Sequence, residues 1–265
     1  MGTVLLACSV AFGAEKHNGT VIPLPRAHAH NDYEHPRPLR DALDQGFCSV
    51  EADIFLVDGQ LMVAHERAEI REGRTLQSLY LEPLRQRVQA GRGWVYSEKR
   101  SLSLLIDIKT EAESTYAALR EVLKRYDDLL TRFEGTAVNT RAVTAIISGN
   151  RPIQTMSREP VRYAAVDGRV ADLEGAWPPS LMPWISQSWP SLFKWRGEGA
   201  MEEAEARKLR ELVDRVHAQG RLLRFWGLPD QPSVWKVLWE AGVDWINTDK
   251  LSELSVFMAA RMKGL

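Results

Sequence analysis

The sequence predicts an α/β fold, a single (β/α)8 TIM barrel, from three observations. Short β-rich runs alternate with helical patterns from residue 20 to the end, the sign of a parallel sheet covered by helices. Eight such runs occur, which suits a closed barrel better than an open doubly wound sheet. No Gly-x-Gly-x-x-Gly turn follows an early strand, so a dinucleotide-binding sheet is excluded.

The predicted strands are Val21–His30, Cys48–Phe55, Leu102–Lys109, Ala142–Ser148, Arg162–Val166, Leu181–Ser186, Leu222–Trp226 and Val243–Asn247. Helical periodicity covers Arg37–Gln45, Thr75–Ala90, Glu113–Arg125, Met201–Ala218, Pro232–Ala241 and Leu251–Met262. In Met201–Ala218 the residues Ala204, Leu209, Leu212, Val213 and Val216 make one apolar stripe, a barrel-facing surface. Gly46, Gly220 and Gly242 stand where αβ loops close their helices. No repeat or linker divides the chain, so residues 20–265 are read as one domain.

The chain has 265 residues, 45% hydrophobic and 26% charged, with a formal net charge of -1. That is ample for a core, and the charge gives no reason to expect nucleic acid as a partner. Cys8 and Cys48 make no disulfide framework, and Cys48 reads as a small buried hydrophobe. Residues 1–14 are mostly apolar, too short to span a bilayer, and resemble the tail of a signal peptide without its basic leader. Leu5-Leu6-Ala7-Cys8 also resembles a lipoprotein cleavage box. Residues 1–19 are thus a leader remnant, implying export, or an unstructured N-terminus of a cytoplasmic protein.

In such a barrel the reactive groups stand at the C-terminal ends of the strands. His28 and His30 share a face at the end of the first strand, with small Ala29 between them. Both reach the same site, and His30 is favoured for proton transfer because it lies nearer the strand end. Glu51 and Asp53 share a face of the second strand among apolar neighbours. Two carboxylates there carry a large desolvation cost unless a cation neutralises them, and a hard divalent ion fits. Asp58-Gly59 is a hairpin signal whose returning arm sets His65 near those carboxylates. Two imidazoles flanking one site are the apparatus of a general base and a general acid. On the third strand Asp107 completes the candidate metal set, and inward Lys109 supplies a phosphate contact. An Asp107–Lys109 ion pair is the alternative, disfavoured because adjacent same-face strand residues are awkward partners.

The stretch from His28-Ala-His30-Asn31-Asp32 through Glu51-Ala-Asp53, Asp58-Gly59 and His65 to Asp107-Ile-Lys109 resembles the phospholipase C-like and glycerophosphodiester phosphodiesterase superfamily. The His-Ala-His-Asn-Asp-Tyr opening and the ending Asp244-Trp-Ile-Asn-Thr-Asp249 most resemble its altered-inheritance-of-mitochondria protein 6 branch. The resemblance implies a barrel, a Mg2+ or Ca2+ ion and phosphodiester cleavage, by hydrolysis or through a cyclic phosphate. By it Glu51, Asp53 and Asp107 match metal ligands, His65 one catalytic histidine, and Lys109 the lysine closing the third-strand motif.

The chain also departs from the glycerophosphodiesterase pattern. No arginine follows the first-strand histidine, Glu34–Leu39 replaces a Pro-Glu-Asn-Thr segment, and His65-Glu66 stands for His-Asp. The substrate is therefore left open between a glycerophosphodiester and a phospholipid-like molecule, with peripheral contact to a membrane.

Asn31 and the later strand ends Ser148–Arg151, Asp167–Arg169, Ser186–Trp189, Arg224–Trp226 and Asn247–Asp249 form the expected substrate wall. Arg224, Trp226, Asn247 and also Trp189 are singled out there, an arginine beside aromatics suiting a phosphate or headgroup. His35 is read as a structural loop residue. Two other readings are carried: a barrel that binds phosphoryl ligands without cleaving them, and an amidohydrolase-like metal hydrolase. The second would need histidines on strands five and six, where this chain has none.

Overall fold

The computed structural model describes residues 21–263; the leader reading and Cys8 lie outside the described residues. Eight strands form the barrel: β1 (Leu24–Ala29), β2 (Phe47–Val57), β3 (Leu102–Ile108), β4 (Val143–Gly149), β5 (Ala164–Gly168), β6 (Trp184–Ser188), β7 (Leu222–Trp226) and β8 (Ile246–Thr248). Adjacent barrel strands pair in parallel from β7 back through β1 to β8. A single parallel bridge, Arg224 to Trp245, nearly closes the ring between β7 and β8. The strands are buried on both faces because helices cover the outside, hence the nearly continuous burial along β2 and β3.

Outside lie α1 (Arg40–Asp44), α2 (Glu82–Ala90), α3 (Ala112–Lys124), α4 (Ile153–Arg158), α5 (Glu203–Ala218), α6 (Pro232–Ala241) and α7 (Leu251–Met262). The six-residue α4 escapes a reading by periodicity because it is under two turns long. Between β5 and β6 there is only a 3-10 turn, Val170–Glu174. A small antiparallel sheet, Arg132–Glu134, Ala137–Asn139 and Val161–Arg162, is a further addition that short irregular segments did not signal. Helix α5 buries Leu209, Leu212, Val213 and Val216 as its stripe requires, but Ala204 in its first turn is exposed. Cys48 is buried, and burial pushes its thiol up to about 12. No helix among the described residues is long and apolar enough to cross a membrane.

Strand alternation and register together position the site. Ser49, Glu51 and Asp53 point to one side of β2, and Asp53 is level with Asp107 on β3, which is level with Ser148 on β4. Neighbouring strands lie about 4.8 Å apart, so same-face residues in one row are forced together. The β2 strand then turns at Asp58 and Gly59, both with positive φ as a tight two-residue hairpin demands, and returns as Gln60–Val63. That hairpin carries His65 back over Asp53.

The loop from β1 to α1 is held by a buried carboxylate. Leu39, at φ 65 and ψ -50 with Arg40 N–H donating to Pro38 O, makes a strained γ-turn, which shortens α1 from the expected Arg37 start. The Leu39 N–H donates to Asp32 Oδ2 at 2.5 Å, and the Tyr80 hydroxyl donates to the same oxygen at 2.9 Å. Burial pushes the Asp32 carboxyl up to about 7, against the pull of those two donors. A raised folded value means that the folded state holds the proton longer. The stability linked to it is complete below the ordinary carboxylate range and is lost as pH rises through about 7.

Asp32→Asn keeps an acceptor for both donors and removes this titration. Its Tm relative to the parent is expected to rise between about pH 4 and pH 8, by the equivalent of up to about 4 kcal/mol. Parallel melting curves across that range check it, and a pH-independent difference would contradict it.

Candidate active site

The inward residues at the C-terminal end of the barrel bring Glu51, Asp53 and Asp107 together, one oxygen of each lying within 4.8 Å of the others. Each carboxylate has one oxygen engaged by the protein. Glu51 Oε2 accepts from Arg224 Nη2 at 2.6 Å and from His28 Nε2 at 3.0 Å. Asp53 Oδ2 accepts from the Tyr33 hydroxyl at 2.6 Å and pairs with Lys109 Nζ at 2.9 Å, while Asp107 Oδ1 pairs with Lys109 at 3.3 Å. Asp53 Oδ1 is buried without a hydrogen-bond partner. A buried carboxylate oxygen left bare is costly, and a hard cation with oxygen ligands would satisfy it.

The electrostatics agree. Burial alone would raise the Glu51 carboxyl, but the Arg224 guanidinium and His28 hold it below the usual range, so it stays charged. Burial and the Glu51 charge raise Asp53 despite Lys109, and burial pushes Asp107 up to about 6. Three carboxylates thus share two side-chain cations, Arg224 and Lys109, which leaves negative charge that a bound metal cation would offset. Glu51, Asp53 and Asp107 fit such an ion. Gly149, at φ 66, lets β4 pass the site, since a Cβ there would fall 2.1 Å from Asp107 Oδ1.

The two first-strand histidines part company. His28 is fully buried, with Nδ1 2.7 Å from Ser49 Oγ and Nε2 on Glu51. Burial and the Arg224 charge lower it to about 3, so the ring is neutral: it donates from Nε2 to Glu51 and accepts the Ser49 proton at Nδ1. Both ring nitrogens of His28 are thus engaged, on Ser49 and on Glu51, unlike those of the other candidate for proton transfer, His30. His30 is partly exposed, its Nδ1 2.8 Å from Asp249 Oδ1, and no hydrogen bond among the described residues occupies Nε2. Burial lowers its pKa, but Asp249 and the Glu51 charge outweigh that and raise it. His65 is half-exposed, with Nδ1 3.0 Å from the Tyr33 hydroxyl oxygen and 3.5 Å from Asp53 Oδ2.

Several of the expected substrate contacts are hydrogen-bonded or ion-paired within the protein. Lys109 bridges Asp53 and Asp107, so the disfavoured ion pair exists: a long lysine side chain can reach across the row where Cβ spacing alone suggests it cannot. Arg224 lies buried on Glu51, and Asn247 Oδ1 accepts from its Nε at 2.8 Å, so neither faces the mouth freely. Asn31 turns its Oδ1 to the Tyr33 hydroxyl at 2.9 Å. Trp189 is fully buried against Phe193 and Phe225 and belongs to the core, because its position after β6 turns it behind the strands. Trp226 does stand at the rim, half-buried, with the Arg169 guanidinium 4.9 Å over its ring.

Tyr33, Ser49 and the role of Asp249 escaped the sequence reading. Tyr33 closes the His-Ala-His-Asn-Asp-Tyr motif, and that was the available signal. A cleft of about 490 Å3 lined by Tyr33, His35, His65, Arg71 and Arg74 among others opens beside the carboxylates. His35 is half-buried in its wall.

A parallel barrel with an acid cluster and histidines at its C-terminal end is the architecture of phosphodiesterases of the glycerophosphodiester type. The chain belongs to the AIM6-like phosphodiesterase domain family, whose model matches residues 16–167, and the glycerophosphoryl diester phosphodiesterase family model matches residues 223–252. It is 28% identical to an altered inheritance of mitochondria protein 6 homolog from Arthroderma benhamiae, over 88% of this chain and 83% of that protein. It is 29% identical to altered inheritance of mitochondria protein 6 from Eremothecium gossypii, over 88% of this chain and 69% of that protein. Its fold is similar to a crystal structure of a glycerophosphodiester phosphodiesterase from Parabacteroides distasonis, with TM-score 0.54, 16% identity and coverage of 91% and 99% of the two chains. A second such enzyme, from Agrobacterium tumefaciens, matches with TM-score 0.52 and 16% identity over 89% and 99%.

Proposed function

We propose that this barrel is a divalent-cation-dependent phosphoric diester hydrolase acting on a glycerophosphodiester or phospholipid-like substrate, by histidine acid–base catalysis. One observation carries the reading: three clustered carboxylates, each with one oxygen tied to the protein, lie beside two histidines whose Nδ1 atoms are anchored. Binding alone needs no such pair. Mg2+ or Ca2+ bound by Glu51, Asp53 and Asp107 would polarise a phosphoryl oxygen and offset its charge.

The chain's own groups do the rest. Asp249 holds His30 by Nδ1 and, with Glu51, favours its charged form, so His30 enters the reaction carrying a proton for the leaving alkoxide. His65, stacked near Tyr33 at 6.5 Å between ring centroids, takes the proton of the attacking hydroxyl or water. Attack by a hydroxyl of the substrate itself would release a cyclic phosphate. Arg224 and Lys109 keep the carboxylates ionised and aligned, and the cleft beside His65 accommodates the substrate beyond its phosphate.

Assays with bis-p-nitrophenyl phosphate and a panel of glycerophosphodiesters and lysophospholipids test this. Turnover is expected to collapse in EDTA and to return with Mg2+ or Ca2+. Turnover that survives chelation sinks the cation-dependent reading, and binding of the panel without turnover favours a non-catalytic barrel.

A further inference from the structure

The Tyr33 hydroxyl touches three groups: Asp53 Oδ2 at 2.6 Å, His65 Nδ1 at 3.0 Å and Asn31 Oδ1 at 2.9 Å. It has one proton and two lone pairs to share among them. A carboxylate is the strongest acceptor of the three, and its contact is the shortest, as a charge-assisted O–H···O bond should be. The proton therefore goes to Asp53. The phenol oxygen is left as an acceptor, and His65 can meet it at 3.0 Å only by donating from Nδ1. Asn31 presents Oδ1 to the phenol, and a flip of that amide, whose two ends are interchangeable in shape, turns its NH2 to the second lone pair.

The surroundings leave Tyr33 little freedom. The residue is 3% exposed, its carbonyl accepts from Arg74 Nη2 at 2.6 Å, and its ring lies nearly parallel to the imidazole at 20°. Asp53 reaches His65 directly only at 3.5 Å, beyond a good hydrogen bond. The phenol is thus the group joining the acid cluster to the histidine.

We propose that Tyr33 is a positioning residue that locks His65 in the Nδ1–H tautomer through the relay Asp53–Tyr33–His65, aiming the Nε2 lone pair at the substrate. The inference deepens the function proposed above, in which His65 accepts the nucleophile's proton. In the other tautomer Nε2 would carry hydrogen and could not act as a base. One O–H thus orients the ring, the carboxylate holding the phenol and the phenol holding Nδ1. The bare Asp53 Oδ1 remains for the cation.

Two measurements test the relay. In 15N spectra of the intact protein with a neutral His65 ring, the Nδ1–H tautomer is expected to dominate in the parent. Tyr33→Phe should shift it toward Nε2–H. With saturating Mg2+ and bis-p-nitrophenyl phosphate, Tyr33→Phe should lower kcat about 10–100-fold with little change in KM, the usual cost of losing such a support. In a His65→Ala background the same change should cost less than about twofold, since the two residues act as one unit. An unchanged tautomer in Tyr33→Phe, a parent already in the Nε2–H form, or an undiminished penalty without His65 each overturn the relay. Circular dichroism and Mg2+ titration report whether the variant still folds and binds the ion. The tautomer measurement needs no turnover, so a protein that cleaves no diester would refute the proposed function and still decide the relay.

Discussion

Arg224→Met is expected to be the most destabilising conservative-volume change in the barrel interior, costing about 3–5 kcal/mol. The Arg224 side chain is 4% exposed and spans from β7 to Glu51 on β2, a contact between residues 173 apart in sequence. Its removal leaves the Glu51 carboxylate buried with only a neutral His28 and no countercharge. Glu51 must then take up a proton or draw water into the core, and Asn247 loses the donor that its Oδ1 accepts from. For a domain of this size about 1 kcal/mol moves the Tm by roughly 2–4 °C, so a fall of about 10 °C is expected in thermal unfolding. The double change with Glu51→Gln should recover much of the loss, because the buried charge is then gone as well. A single variant melting within about 2 °C of the parent would show that Glu51 is not held by this pair.

The second large effect separates the histidines. His30→Ala and His65→Ala are each expected to lower kcat by about 10²–10⁴-fold at saturating cation, the usual worth of a positioned acid or base. Neither ring makes a good direct hydrogen bond to the three carboxylates, His65 meeting Asp53 chiefly through Tyr33, so cation affinity and Tm should change little. His28→Ala should behave in the opposite way. It strips a hydrogen bond from a buried carboxylate and leaves the Ser49 hydroxyl facing a void, so it weakens cation binding and stability first. Steady-state kinetics with Mg2+ titration of all three variants distinguishes the roles. Equal loss of kcat with unchanged Mg2+ affinity in His28→Ala would return that residue to the proton-transfer step.

Much of this site was legible because β-strand side chains repeat every two residues. His28-x-His30, Glu51-x-Asp53 and Asp107-x-Lys109 each declare a shared face, and charges on an apolar strand declare that the face is inside. The Asp58-Gly59 turn, with its two positive φ values, likewise announced the return of His65. These signals are local, set by backbone sterics within a few residues, and they fixed the barrel, the acid cluster and its histidines.

Depth and partnership were decided elsewhere. His28 and His30 have the same side chain and the same parity, yet one is sealed on Glu51 while the other meets Asp249 at the rim. Where a residue falls along the barrel axis depends on strand register around the ring, including the irregular pairing of β1 with β2 between Leu24 and His28. For Arg224 the strand pattern says only that it points inward; the closed ring puts Glu51 across from it. Tyr33 carried no strand signal at all, since it sits in a short 3-10 turn that only the folded loop swings over Asp53 and His65. The sequence by itself thus determined which residues face the interior and what chemistry they could offer. Only the tertiary structure decided which carboxylate each cation and histidine serves, because those pairings cross strands brought together by closure of the barrel.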